Sequence, residues 1–482
     1  MELRRSVLWT STQFVTVLAV ELMGLAVLAR LLTPTEMGAF AVAFALLQFA
    51  QFLGGFGLNT VILRSESMDL VTRSRILGLA LAATALVITA YMLALLVFPG
   101  FTAGPVPRDL LLIMLPVAVL NCFSMTGYSL MVRELRFRGI FALRIVSTLT
   151  YQAVAIPLAV AQYGPFSLAA GFVAAGSVFA IGMLIATRGA FLIVPRLEGT
   201  RAITRLAGVV FATTALQQAR DLLVVQIVGR MAGLGALGVY SRGNDLVQQT
   251  NRVVTETVIP VFAPYIFRSV RNGEDSRALF LQSLAMISAI SWPAALVLSA
   301  LSEPLVRLLL GPQWGEVAKL LHVMAFLLAV FPFGAVAGTF NVAHRQEVRL
   351  LVIGCFNLVA TVILTLLVLP YGLLAVSAAV IAVQAVGVMF STAALQPHHA
   401  LTGPDVWQAI RPSLGVSLAA GLPALALTAI VPGWPSVVLV MAGAALAGAG
   451  WAVGLAAFRH PLGREIAAMT RGALRPGQSQ TP

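Results

Sequence analysis

Apolar runs of about 20 residues follow one another along almost the whole chain, and Gly and Pro punctuate the joints. As a helix, such a run crosses the ~30 Å hydrocarbon core of a bilayer. With so many in succession there is no room for a folded soluble domain. Composition agrees, being 59% hydrophobic and 10% charged over 482 residues. The runs predict fourteen spans, at about 7–29, 38–62, 76–98, 109–131, 141–162, 165–187, 206–228, 236–262, 280–301, 317–340, 350–369, 372–395, 409–431 and 434–457. Pro260 and Pro293 fall inside spans and should kink or break them. Cys122 and Cys355 both lie in apolar runs, so no disulfide framework is indicated. The opening MELRR leads into a long first span without a small-residue cleavage site, which reads as an uncleaved helix.

The formal net charge of +13 comes from 30 Arg and one Lys. In a soluble chain it would suggest nucleic acid. Here the arginines sit in short loops between spans, so they report orientation instead, and no nucleic-acid partner is implied. With a cytoplasmic N-terminus, 23 of the 31 basic residues fall on the cytoplasmic side and 5 outside. A miscounted helix in the middle would scramble every later loop. The bias therefore predicts fourteen spans with both termini cytoplasmic. The cluster Arg133, Arg136 and Arg138 reads as an orientation signal in contact with anionic lipid.

One span breaks the apolar rule. Between Ala236 and Phe262, Arg242, Asp245, Gln249, Arg252 and Glu256 recur at steps of three and four. That spacing puts them on one helix face. Gln248, Asn251 and Thr255 widen this face, and the preceding span brings Gln217, Arg220 and Asp221. Charges at such depth cost several kcal/mol unless they meet water or partners. They imply a hydrated cavity, or else internal pairing of Arg242 with Asp245, Arg252 with Glu256 and Arg220 with an acid nearby. The two are compatible, since a substrate can re-pair such charges.

The sequence also repeats. At a shift of 200, Glu21 falls on Asp221, Arg30 on Arg230, Gly38 on Gly238, Phe40 on Tyr240, Gln48 on Gln248 and Gln51 on Asn251. Tyr163-Gly164 matches Tyr371-Gly372 at 208. The expected fold is an all-α polytopic membrane protein. Spans 1–6 and 7–12 form two six-helix bundles related by a pseudo-twofold along the membrane normal, and spans 13 and 14 lie outside the repeat. The lobes are 1–190 and 200–396, followed by helices 13–14 at 405–460 and a cytoplasmic tail at 461–482. Two such bundles describe many alternating-access transporters.

At residues 29–62, ARLLTPTEMGAFAVAFALLQFAQFLGGFGLNTVI, the chain resembles the polysaccharide-transporter branch of the flippase superfamily that also holds MATE exporters and MurJ. It is most similar to Wzx-type exporters, and GALGVYSRGNDL at 235–246 resembles that branch's segment after the seventh span. The resemblance implies a flippase in the bacterial inner membrane. It would move an undecaprenyl-diphosphate-linked oligosaccharide to the periplasmic leaflet, beside glycosyltransferases and a polymerase as partners. It also suggests a lipid-tail groove at spans 13 and 14.

Guanidinium groups bind phosphate oxygens bidentately and stay charged. Arg220, Arg242 and Arg252 are therefore the diphosphate candidates, with Gln48, Gln51, Gln248, Gln249 and Asn251 for glycan hydroxyls. Glu21, Asp221, Asp245 and Glu256 are candidates for a coupling H⁺ or Na⁺, or neutralise nearby arginines. Arg30 and Arg230 suit span ends. His322 reads as a packed histidine, and His398-His399 has no partner ligands, so no metal or other cofactor is predicted. The alternatives are a lipid II flippase, a MATE-type multidrug exporter and, at a distance, a polysaccharide polymerase or ligase. A cation exporter would favour an anionic cavity. A polymerase would need a larger outer loop than 99–108 or 302–316.

Overall fold

The computed structural model describes residues 2–55, 62, 69–97, 108–134, 136–191, 193–197, 201–395 and 402–466. Seventeen α-helices form this part. They are α1 (Glu2–Leu31), α2 (Pro34–Gly55), α3 (Leu70–Val97), α4 (Arg108–Met114), α5 (Pro116–Arg133), α6 (Phe137–Val160), α7 (Pro165–Ala186), α8 (Arg201–Met231), α9 (Leu234–Arg271), α10 (Arg277–Ala300), α11 (Ser302–Leu309), α12 (Gly315–Met324), α13 (Phe331–Ala343), α14 (Glu347–Val368), α15 (Leu373–Ala393), α16 (Gly403–Ile430) and α17 (Ser436–Ala457). Eleven helical stretches among the described residues are long and apolar enough to cross a membrane. Long helices α1, α8 and α9 are not among those eleven. In α8 and α9 the charged and amide side chains offset the apolar residues, and the side chains of the first half of α1 lie outside the described residues.

Element ends repeat at the shift seen in the sequence. α1 ends at Leu31 and α8 at Met231; α2 begins at Pro34 and α9 at Leu234. The Tyr-Gly pairs recur as the glycines that cap α7 and α15, with positive φ at Gly164 and Gly372. Glycine reaches this region without strain, so both turns can be tight. Pro116 and Pro332 each sit in the first turn of a second helical piece, α5 and α13. Proline lacks the amide hydrogen that would continue the preceding helix. The fourth run is therefore two helices, and the tenth is α12, a 3-10 segment at Ala325–Ala329 and α13. Pro260 and Pro293, by contrast, break neither helix: α9 runs 38 residues through the first and α10 runs through the second. A proline inside a helix removes one backbone hydrogen bond, and the turns on either side keep theirs.

The chain divides into two compact units. The first holds Met1–Ser241 with Leu309–Gln313 and Thr361–Leu369; the second holds Arg242–Leu308, Trp314–Ala360 and Pro370–Pro482. In the first, Ile76, Leu77, Ala80, Cys122 and Phe191 form a buried cluster. Phe52 of α2 stacks on Phe211 of α8 with ring centroids 5.3 Å apart. The starts of α2 and α9 also meet. A Cβ placed on Gly38 would overlap the Leu234 carbonyl, and one on Gly238 would overlap the Pro34 carbonyl. This reciprocal contact exists because both positions lack a side chain.

In the second unit, Phe280 and Phe340 meet edge to face at 5.0 Å within a cluster that includes Leu284, Ile287 and Val336. Helix α17 lies against α16 through Gly450 and Gly454, whose Cβ positions are filled by the Ala419 and Val416 backbone. Small residues at this spacing let helices approach closely in lipid, where dispersion rather than water exclusion holds them. α16 is tied to α10 by Ser288 Oγ, which donates to Ser413 Oγ at 2.7 Å. Trp451 Nε1 of α17 donates to the Ala289 carbonyl at 2.7 Å.

Candidate functional site

Helix α9 carries the charged stripe, and its two sides differ as the spacing requires. Gly243, Leu246, Val247 and Val254 are buried, and Gly243 lies against Met324 of α12. Arg242, Asp245, Gln248, Gln249, Asn251 and Arg252 are half-buried. The stripe is thus neither sealed in a dry core nor fully open.

Arg242 Nη2 lies 3.0 Å from Asp245 Oδ2. The Arg242 side chain is 14% exposed and that of Asp245 45%. The ion pair leaves Arg242 Nε buried without a hydrogen-bond partner. Asn251 Oδ1 is buried and unpaired as well. One turn further, Thr255 Oγ1 donates to the Asn251 carbonyl at 2.9 Å. Arg252 also acts electrostatically on Asp245. The Glu256 side chain lies outside the described residues, so its expected pairing with Arg252 does too.

In the first unit, Arg220 of α8 pairs with its neighbour Asp221, Nη2 to Oδ1 at 2.7 Å and Nε to Oδ1 at 2.9 Å. Arg220 is the buried member at 11% exposed against 55% for Asp221. Buried Tyr240, near the start of α9, is within electrostatic reach of this pair. Gln51 of α2 lines a small cavity with Thr84, Asn121 and Cys122, and its Nε2 is buried without a partner. That cavity has room for about one water and no charged lining residue. Gln48 is exposed, and Glu21 is half-buried on α1. His322 hydrogen-bonds Ser299, Nδ1 to Oγ at 3.0 Å, as a packed histidine does. His398 and His399 lie outside the described residues.

Sequence reasoning passed over Gln226. Both of its amide ends are buried in α8 without partners. A buried unpaired amide costs about 1–3 kcal/mol per group and marks a place where water or a ligand belongs. Its signal in the sequence was one amide in an apolar run, with no periodic companion to single it out.

What the stripe of α9 offers chemically is a half-neutralised guanidinium at Arg242 with amides along the same helix. Asp245 holds Arg242 through Nη2, and the donors it leaves over, the buried Nε among them, can take an anion. Residues 27–319 match the family described as Polysaccharide biosynthesis protein, and the chain belongs to that family. It is 29% identical over 304 residues to the succinoglycan biosynthesis transport protein ExoT of Rhizobium meliloti (strain 1021), covering 62% of this chain and 60% of ExoT. It is 20% identical over 348 residues to the lipopolysaccharide biosynthesis protein WzxC of Escherichia coli (strain K12), covering 70% of this chain and 69% of WzxC. The matches thus leave almost a third or more of each relative's length uncovered. The fold is that of the lipid II flippase MurJ in an inward closed conformation, with a TM-score of 0.72 at 16% identity over 93% of this chain and 99% of that one. A MATE family multidrug transporter gives a TM-score of 0.60 at 13% identity, over 79% and 94%.

Proposed function

We propose that this protein is a flippase. It moves an undecaprenyl-diphosphate-linked oligosaccharide from the cytoplasmic to the periplasmic leaflet of a bacterial inner membrane by alternating access. The observation that carries this reading is the half-buried charged stripe of α9, with Arg242 Nε buried and unpaired. A diphosphate cannot enter hydrocarbon unaided, and its charge needs fixed cations on the way. In our reading Arg220, Arg242 and Arg252 receive the diphosphate. Gln48, Gln51, Gln248, Gln249, Asn251 and Gln226 serve glycan hydroxyls. Asp221, Asp245, Glu256 and Glu21 release the arginines or carry a coupling H⁺ or Na⁺. The relatives' names, which are for polysaccharide and lipopolysaccharide biosynthesis, support the substrate class.

In this reading α1, α8 and α9 also cross the bilayer. That brings the spans to fourteen, in lobes at 1–190 and 200–396, with α16 and α17 outside the repeat and both termini cytoplasmic. Glycosyltransferases and a polymerase supply and consume the substrate. The MurJ-like fold keeps lipid II as a second reading.

The test is export in a host lacking its own exporter, with variants matched for expression. Arg242→Ala with Arg252→Ala should reduce surface polysaccharide at least tenfold, the loss of more than one charge-assisted hydrogen bond. Normal export by that double variant would end the proposal. Rescue of a strain depleted of its lipid II flippase, without polysaccharide export, would favour the second reading.

A further inference from the structure

A separate cavity of about 410 Å³ opens in the first unit, lined by Arg73, Leu130, Glu134, Arg136, Ala186, Thr187, Arg188 and Ala190. Its arginines come from three helix ends that meet at one level. Arg73 is in the first turn of α3, Arg136 immediately precedes α6, and Arg188 follows α7. None of them belongs to the stripe on α8 and α9.

Two of the three have a structural duty that leaves donors over. Arg136 Nη1 donates to the Ala186 carbonyl at 2.9 Å, and Arg73 Nη1 reaches the Ala190 carbonyl at 3.4 Å. The first satisfies a carbonyl at the end of α7, as a cation at a helix C-terminus should, and the second a carbonyl of the turn that follows. A guanidinium has five donors. Arg73 Nε is buried here with no partner at all. Arg188 closes α7 with φ +52, a conformation that favours glycine, and it is exposed. The chain accepts that strain and retains a charge at this point. The opposing carboxylate, Glu134, is 3.4 Å from Arg136 and nearly half exposed. Three guanidiniums against one carboxylate leave the cavity cationic.

We propose that this cavity binds a phosphate group, held by Arg73, Arg136 and Arg188. By arginine bias this end of the helices faces the cytoplasm. The phosphate there is either the headgroup of an anionic phospholipid or free phosphate, and both present the same oxygens to a guanidinium fork. Glu134 tempers the site: it holds Arg136 until an anion replaces it.

The test uses the purified full chain in detergent. Its unfolding temperature is followed against phosphatidylglycerol, phosphatidylcholine, and inorganic phosphate at matched ionic strength. Phosphatidylglycerol should raise the midpoint and phosphatidylcholine should not. Arg73→Gln with Arg188→Gln should weaken the apparent affinity about tenfold or more, the effect of losing a charge-assisted hydrogen bond. Arg268→Gln with Arg271→Gln removes equal charge elsewhere and should leave it unchanged. Glu134→Gln should tighten it, a gain that misfolding cannot imitate. A shift with inorganic phosphate alone identifies free phosphate as the ligand, and a shift with phosphatidylglycerol alone identifies the headgroup. No shift from either overturns the proposal. So does equal weakening by both double variants, or weaker binding by Glu134→Gln. Should the arginine variant not fold, the Glu134→Gln result decides. Polysaccharide export is not a readout here, so this proposal and the flippase reading can fail independently.

Discussion

At the scale of single residues, what distinguishes a functional polar group from a structural one in this protein is whether its partners are already present. His460 is structural. It is buried, its Nδ1 accepts the Leu462 amide at 3.1 Å, and its Nε2 lies 3.1 Å from Ser413 Oγ. The first contact fixes the tautomer: Nε2 carries the hydrogen and donates to Ser413. Burial holds the imidazole pKa below its usual 6.5, because a charged ring would lose solvent and an acceptor at once. An unfolded histidine titrates near 6.5. The neutral ring's contribution is therefore complete above about pH 6.5 and is lost as pH falls from there toward the lower folded value. Thermal unfolding measured across that window should show the loss. His460→Leu should abolish that pH dependence while lowering stability by about 1 kcal/mol for the missing hydrogen bond. Gln226 is the opposite case, since neither amide end has a partner. Gln226→Leu should leave the unfolding temperature unchanged or raised, because it removes an unsatisfied buried group. Export should fall nonetheless if the amide serves the glycan. A loss of both stability and export would identify Gln226 as a packing residue instead.

Among elements, the contact between the starts of α2 and α9 depends on two absent side chains. Gly38 and Gly238 each sit where a Cβ would overlap a backbone carbonyl of the other helix. A carbonyl cannot move aside as a flexible side chain can, so Gly38→Val must part the helices. Thr35 and Gly235 face each other across this contact. Cysteines at both positions, with Cys122 buried and exposed Cys355 replaced by Ser, should cross-link readily. Adding Gly38→Val should abolish the cross-link, and undiminished cross-linking would show that the contact does not depend on glycine. This pairing was half legible in the sequence: the shift of 200 aligned Gly38 with Gly238, but a repeat does not say that equivalent residues touch. From Arg242 to Arg252 the polar face of α9 was legible, because a period of three and four is a property of one helix. The breaks at Pro116 and Pro332 and the continuity through Pro260 were not. The same missing amide hydrogen ends one helix and is absorbed by another, according to packing contributed by distant segments. The cavity at Arg73, Arg136 and Arg188 was hidden for a similar reason. Its residues lie in three joints, and no periodicity connects them.

For the molecule as a whole, the flippase reading requires the two most polar long helices to cross the bilayer. Apolar content alone does not select α8 or α9, since their charges count against them. Length permits it: at 1.5 Å per residue, 31 and 38 residues rise about 46 and 57 Å, beyond the ~30 Å core. The basic residues supply the independent argument. Arg201 and Arg205 open α8, only Arg230 lies at the joint between the helices, and Arg268 and Arg271 end α9. If both helices cross, the joint faces the periplasm and every arginine-rich joint before and after it faces the cytoplasm. If neither crosses, the joint at Arg230 is cytoplasmic while the downstream joints keep their side, so only a probe at the joint distinguishes the two. Alkaline phosphatase fused after Arg230 should be active, because it folds only outside the cytoplasm. Fusions after Arg196 and after Arg271 should be inactive and should fluoresce when the reporter is a cytoplasmic fluorescent protein. Inactivity after Arg230 would put the charged helices on the membrane surface, where arginines need no substrate to be stable, and would remove the reason for reading them as a path for a diphosphate.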